Sequence, residues 1–125
     1  MKRVALTAVV SSLLTLALVY GLGAAPPMTR RTVLENARVE VIERSIPPGE
    51  ARDAHIRPTD QVIVFLNDVS YDRIDPKTGE TISRSRKAGE VIWHSRGEAA
   101  PKLVNTGSSP FRSLVISLKD WDLTQ

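Results

Sequence analysis

The sequence predicts an all-β domain, one small barrel or sandwich, carried behind an apolar N-terminal segment. Three observations carry that prediction. Beyond residue 25 the apolar residues alternate as they do in strands, with no helical period sustained over more than about two turns. Turn signals such as "PPGE", "PKTG", "KAGE" and "TGSSP" return about every 8 to 12 residues, a spacing that favours a closed or two-layered antiparallel sheet over a parallel sheet with helices. The stretch after the leader is also short, with room for a single core.

Taken in order, the elements begin with Lys2 and Arg3 ahead of an apolar run from Val4 to Leu22, which is the pattern of an export segment. The run is longer than the usual signal-peptide core of about 7 to 15 residues and close to the roughly 20 that span a bilayer. Gly23, Ala24 and Ala25 suit a signal peptidase, whereas Pro26 and Pro27 directly after them do not. Residues 1–25 are therefore read as a signal peptide or an N-terminal membrane anchor, and the domain as periplasmic or tethered facing away from the cytoplasm. Residues 26–37, proline-rich and charged at the start, read as a linker. The domain proper is expected over 38–119, with 120–125 as a tail.

Within it, "ARVEVIERSI" alternates Val39 and Val41 against Glu40, with Ile42 and Ile46 extending the apolar set. "QVIVFL" is a β-branched and aromatic run too short for a helix, and reads as a strand covered on both sides. "DVSYDRID" and "TISRSR" flank "PKTG", where Pro76 opens a turn and Gly79 accepts a positive φ, so they predict a hairpin. "VIWH", "KLVN" and "FRSLVISL" complete a count of about eight short strands.

Composition excludes several functions. Of the formal charge of +3, Lys2 and Arg3 belong to the leader, and without them fifteen basic residues face fourteen acidic ones, a net charge of +1. The remainder has no basic run beyond Arg84, Arg86 and Lys87, so no nucleic-acid partner is expected. Cysteine is absent, which removes thiol catalysis and thiolate metal sites and leaves an apolar core, or pairing of two copies, to supply stability. No G-x-S-x-G elbow and no phosphate-cradling glycine loop is present.

Two spaced motifs then bring in a family. Gly49 is followed after five residues by His55, Ile56, Arg57, "PTD" and Gln61, and Gly89 is followed by "EVIWH", Ser95, Arg96 and Gly97, with Asn105 and "TGSSPFRSLVISL" closing the pattern. This order resembles the cupin family, small jelly-roll β-barrels whose first motif runs G-x5-H-x-H-x3-E-x6-G and whose second runs G-x5-P-x-G-x2-H-x3-N. The resemblance covers about Arg38 to Leu118 and implies a cupin-like jelly roll. In metal-binding members, two histidines and a glutamate of the first motif and a histidine of the second hold a divalent ion. Carried over position by position, the first ligand is His55, while Arg57, Gln61 and Pro101 stand where the other three would be.

The replacements argue against metal chemistry. A first-row dication needs three or more convergent imidazole or carboxylate donors to replace its hydration shell. Arg57 would set a permanent positive charge beside it, Gln61 lacks a negative charge, and Pro101 has only its carbonyl. The expected site is therefore a barrel mouth in which His55, Arg57, Gln61 and Trp93 bind a small polar or anionic ligand, with no catalytic residue and no cofactor. In it Arg57 is the planar fork for a carboxylate, sulfate or phosphate, and Trp93 is an apolar wall. The alternative is a metal-dependent enzyme of dioxygenase or isomerase type, holding a divalent metal ion through His55, Gln61 or Asp60, and His94. Strand alternation weighs against it: if Val91 and Trp93 face inward, His94 faces out.

Overall fold

The computed structural model describes residues 27–120. The predicted export segment, 1–25, and the tail from 121 onward lie outside the described residues. Among them the chain forms eleven strands and no helix: β1 (Thr29–Glu35), β2 (Val39–Ile46), β3 (Ala51–Arg52), β4 (His55–Ile56), β5 (Asp60–Phe65), β6 (Val69–Ile74), β7 (Thr81–Arg86), β8 (Val91–His94), β9 (Ala99–Ala100), β10 (Lys102–Asn105) and β11 (Phe111–Leu118). They build a five-stranded sheet in the order β1-β2-β11-β5-β8, a four-stranded sheet in the order β3-β10-β6-β7, and a two-stranded ribbon of β4 and β9. Every pairing is antiparallel.

Four of the eleven strands match no segment named from the sequence, for two reasons. The pieces β3, β4 and β9 are two residues each, too short to show any alternation. β1 falls within residues 26–37, read from the sequence as a linker. It escapes notice because it is exposed along its whole length and pairs on one side only, with β2, through an irregularity between Thr32 and Leu34. With neither face buried, the period of two has nothing to select for.

Alternation does govern the interior. On β2 the buried positions are Ile42, Arg44 and Ile46; on β5 they are Gln61, Ile63 and Phe65. The two sheets meet through an apolar cluster that includes Ile46, Ile63, Phe65, Val69, Tyr71, Leu103 and Phe111. Phe111 stands 5.2 Å from Tyr71, edge to face, and 5.7 Å from Phe65 between ring centroids, so aromatic contacts tie the layers together.

Near this cluster Asn105, 1 % exposed, ties two turns to the barrel. Its Nδ2 donates to the carbonyls of Ile46 and Ser109, each at 2.9 Å, and its Oδ1 accepts from the Gly107 N–H at 2.9 Å. Its backbone bonds Gly49 and Glu50 across the β2–β3 turn. Each polar atom of its side chain is paired, as a buried amide requires. The hairpin of β6 and β7 turns as expected: Asp75 accepts from the N–H groups of Lys77 and Thr78, and Gly79 takes φ +76°.

Candidate functional site: an arginine-lined cavity

Period two places arginines where an apolar interior would be expected. Arg44 shares its face of β2 with Ile42 and Ile46. Arg73 continues the inward set of Val69 and Tyr71 on β6, and both Arg73 and Arg52 pair with Leu103 from either side. Arg57 is fixed by its own backbone, whose N–H donates to the Glu98 carbonyl at 3.0 Å and whose carbonyl accepts from the Gly97 N–H at 2.9 Å. Arg86 ends β7 with its guanidinium 5.9 Å from the centre of the Phe65 ring.

These five arginines surround one cavity of about 60 Å³, whose other walls are apolar or aromatic except for His94. Among the described residues no carboxylate lines it. Arg44, Arg52 and Arg57 are 9 %, 8 % and 6 % exposed. Among the described residues only Arg86 of the five has a carboxylate in salt-bridge reach, Glu90 at 3.6 Å. Arg57 Nη1 donates to Gln61 Oε1 at 3.1 Å, and Arg52 Nη2 donates to the Pro101 carbonyl. The Nε atoms of Arg44, Arg52, Arg57 and Arg86 are buried without a hydrogen-bond partner, as is the hydroxyl of Ser113, the cross-strand neighbour of Arg44.

Such an arrangement is costly on its own. At an effective dielectric of about 20, two like charges roughly 6 Å apart repel by about 3 kcal/mol, and each buried ion also loses hydration. The arginines record that cost. Burial, with Arg52, Arg57 and Arg30 adding to it, pulls Arg44 down to about 9. Arg52 falls to about 10 through burial and then through Arg57 and Arg73. Arg57 is lowered by burial, with Glu98 opposing. Arg86 moves upward instead, chiefly because of its hydrogen bond with Tyr71.

His94 lies on this cavity. Its Nδ1 is 3.1 Å from Glu98 Oε1, yet burial outweighs that bond and lowers its pKa, with Arg57 and Arg73 contributing. The imidazole is therefore neutral at neutral pH and adds a hydrogen-bonding group without adding charge.

Of the expected mouth residues, the structure brings Arg57 and Gln61 together and separates the other two. His55 is exposed, its Nδ1 3.3 Å from the Asp53 carbonyl, in an outer recess on the β4–β9 ribbon. Trp93 is 53 % exposed and lies on the outer face of the five-stranded sheet, its Nε1 donating to Ser95 Oγ at 3.1 Å. The expectation that Val91 and Trp93 face inward and His94 outward is reversed. Gln61 pairs with His94 and Ile63 with Ile92, so the inward face of β5 drags Ile92 and His94 inward and leaves Val91 and Trp93 outside. The error is a one-residue parity slip, which exchanges the faces of a whole strand. Arg44, Arg52, Arg73 and Arg86 were not anticipated at all, although the parity of Ile42 and Ile46, and of Tyr71, marks two of them as inward.

The donor set does not fit the divalent ion that metal-binding cupins hold. His55 points away from the cavity, Gln61 is engaged by Arg57, and Pro101 gives its carbonyl to Arg52. Of the fallback set, His94 lines the cavity and His55 the outer recess, while Gln61 lines neither. Among the described residues no three His, Asp or Glu side chains converge. A dication at this place would face guanidinium groups rather than carboxylates.

No family model matches the sequence, and no curated protein matches it. Solved structures do. A cupin domain from Bordetella pertussis Tohama I superimposes with a TM-score of 0.68 at 21 % identity, over 78 % of this chain and 98 % of that one. A polyketide cyclase from Streptomyces resistomycificus gives 0.60 at 22 % identity, over 78 % and 71 %. A cupin superfamily protein from Desulfitobacterium hafniense gives 0.57 at 17 % identity, over 78 % and 84 %. With the two facing sheets and the strand order described above, the chain has the cupin fold, a jelly-roll barrel of antiparallel strands.

Proposed function

We propose that the interior of this barrel binds a small anion and that the domain, exported by its leader, serves as a ligand-binding module and not as a metal-dependent enzyme. The observation that carries the reading is the set of five arginines around a cavity without a carboxylate. An anion there supplies the missing countercharge and accepts hydrogen bonds from Nε atoms that have no other partner. Guanidinium forks match the paired oxygens of carboxylate, sulfate or phosphate. The cavity volume has room for a few waters or one small group of that size.

Titration calorimetry and thermal denaturation of the full chain test this. Sodium sulfate or phosphate should bind with a dissociation constant of about 1 mM or tighter and raise Tm, whereas sodium chloride at equal ionic strength should not. Arg57→Met should remove the selective response. Equal responses to sulfate and chloride in the unaltered chain would sink the reading. Zinc or manganese chloride should leave Tm unchanged, and a stoichiometric metal site that disappears in His94→Ala would instead favour the enzyme reading.

A further inference from the structure

The arginine cavity does not end at its own walls. Arg73 and Pro101 also line a second, larger recess of about 420 Å³. One side of this recess is the β4–β9 ribbon, with His55, Ile56, Ala99 and Ala100; the other is the β6–β7 hairpin, with Ile82. The register explains why the two spaces adjoin. Arg73 pairs with Leu103 on one side and with Ile82 on the other, so Ile82 shares the face of the sheet that carries Arg73 and Leu103 into the interior. Ile56 and Ile82 are 63 % and 42 % exposed, apolar side chains left in solvent at the edge of a charged site.

Resting on the anion-binding reading, we infer that the two spaces form one divided site, and that its ligand is a monoacid with an apolar body: the anionic head lies among the arginines and an aliphatic or aromatic body of several carbons lies against Ile56 and Ile82. The cavity is too small for more than the head, whereas the recess has the size of an ordinary small-molecule site. Arg73 stands at the junction and contacts the ligand where head and body meet. Asp75 and Glu80 on the hairpin side of the recess make it unsuited to a second acidic group, despite Lys77 beside them. The Asp75 carboxylate is held ionised by the N–H groups of Lys77 and Thr78 and then by the charge of Lys77, so it keeps that repulsion across the neutral range.

Calorimetric titration of the full chain with acetate, hexanoate and sulfate tests the inference. Each methylene buried is worth roughly a fourfold gain, so with the body half covered hexanoate should bind at least about tenfold tighter than acetate. In Ile82→Asn, which leaves Ile56 in place, the ratio of the two affinities should fall from about tenfold to about threefold. If acetate and sulfate bind and hexanoate binds no tighter, the divided site is overturned while anion binding stands. If none of the three binds, the anion-binding reading fails and this inference with it. Retention of the full hexanoate advantage in a folded Ile82→Asn protein would also overturn it, because the body would then lie elsewhere.

Discussion

The barrel interior has two halves built by one rule and filled with opposite chemistry. Around Asn105 the inward positions are Ile46, Phe65, Val69, Tyr71 and Phe111, with every polar atom of the asparagine side chain paired. Further along the same strands the inward positions become Arg44, Gln61, Arg73 and His94, and several buried nitrogens have no partner. The first half holds the fold, and its Phe65, Tyr71 and Phe111 also wall the arginine cavity. The second carries the cost of buried like charges, and on the anion-binding reading proposed above a guest would offset it, which single substitutions should show.

The largest effect belongs to the apolar half. Phe111→Ala removes a ring that is 1 % exposed and contacts both Phe65 and Tyr71, and should cost about 3–5 kcal/mol of stability, read from urea denaturation. Loss of less than about 1 kcal/mol would mean that the aromatic contacts do not hold the sheets together. Opposite in sign and smaller, Arg44→Met should raise the stability of the ligand-free protein by about 1–4 kcal/mol, since an apolar chain of similar length replaces a buried, unpaired charge. The same substitution should weaken sulfate binding, which a purely structural arginine would not do.

The smallest effect is the pH dependence. Arg44 is lowered to about 9 in the folded chain, far below the value of an unfolded guanidinium, so its penalty on the fold is complete below pH 9. Between those values the unfolded chain binds more protons than the folded one, and this group's contribution to stability rises with pH. Sulfate affinity should move the other way, falling by up to about tenfold per pH unit above pH 9, because the anion needs the charged form. Calorimetry at pH 8, 9 and 10 checks the slope, and a flat profile would remove Arg44 from the site.

How much of this was legible in the sequence follows from what each residue reports. Turns are written locally: the Pro76 to Gly79 hairpin and the Asn105 turn could be read from a few adjacent residues. Arg57 and Gln61 were found because motif spacing placed them, and they do meet. Side-chain direction on β8 is not local. Val91 and Trp93 look like core residues, and only pairing with β5 shows that they are not. The other four arginines were passed over for a related reason: an arginine in an apolar alternation is ordinarily a solvated residue, and recognising four such exceptions requires knowing that their strands converge. β1 was missed because an edge strand with both faces exposed carries no pattern to read.

One feature of the topology has a bearing on how the molecule comes into being. β11, the last strand, lies in the middle of the five-stranded sheet, between β2 and β5. That sheet therefore cannot close until residues 111–118 join its two halves, β1-β2 and β5-β8. Such long-range closure is slow, because the entropy of bringing distant segments together is lost before their contacts form.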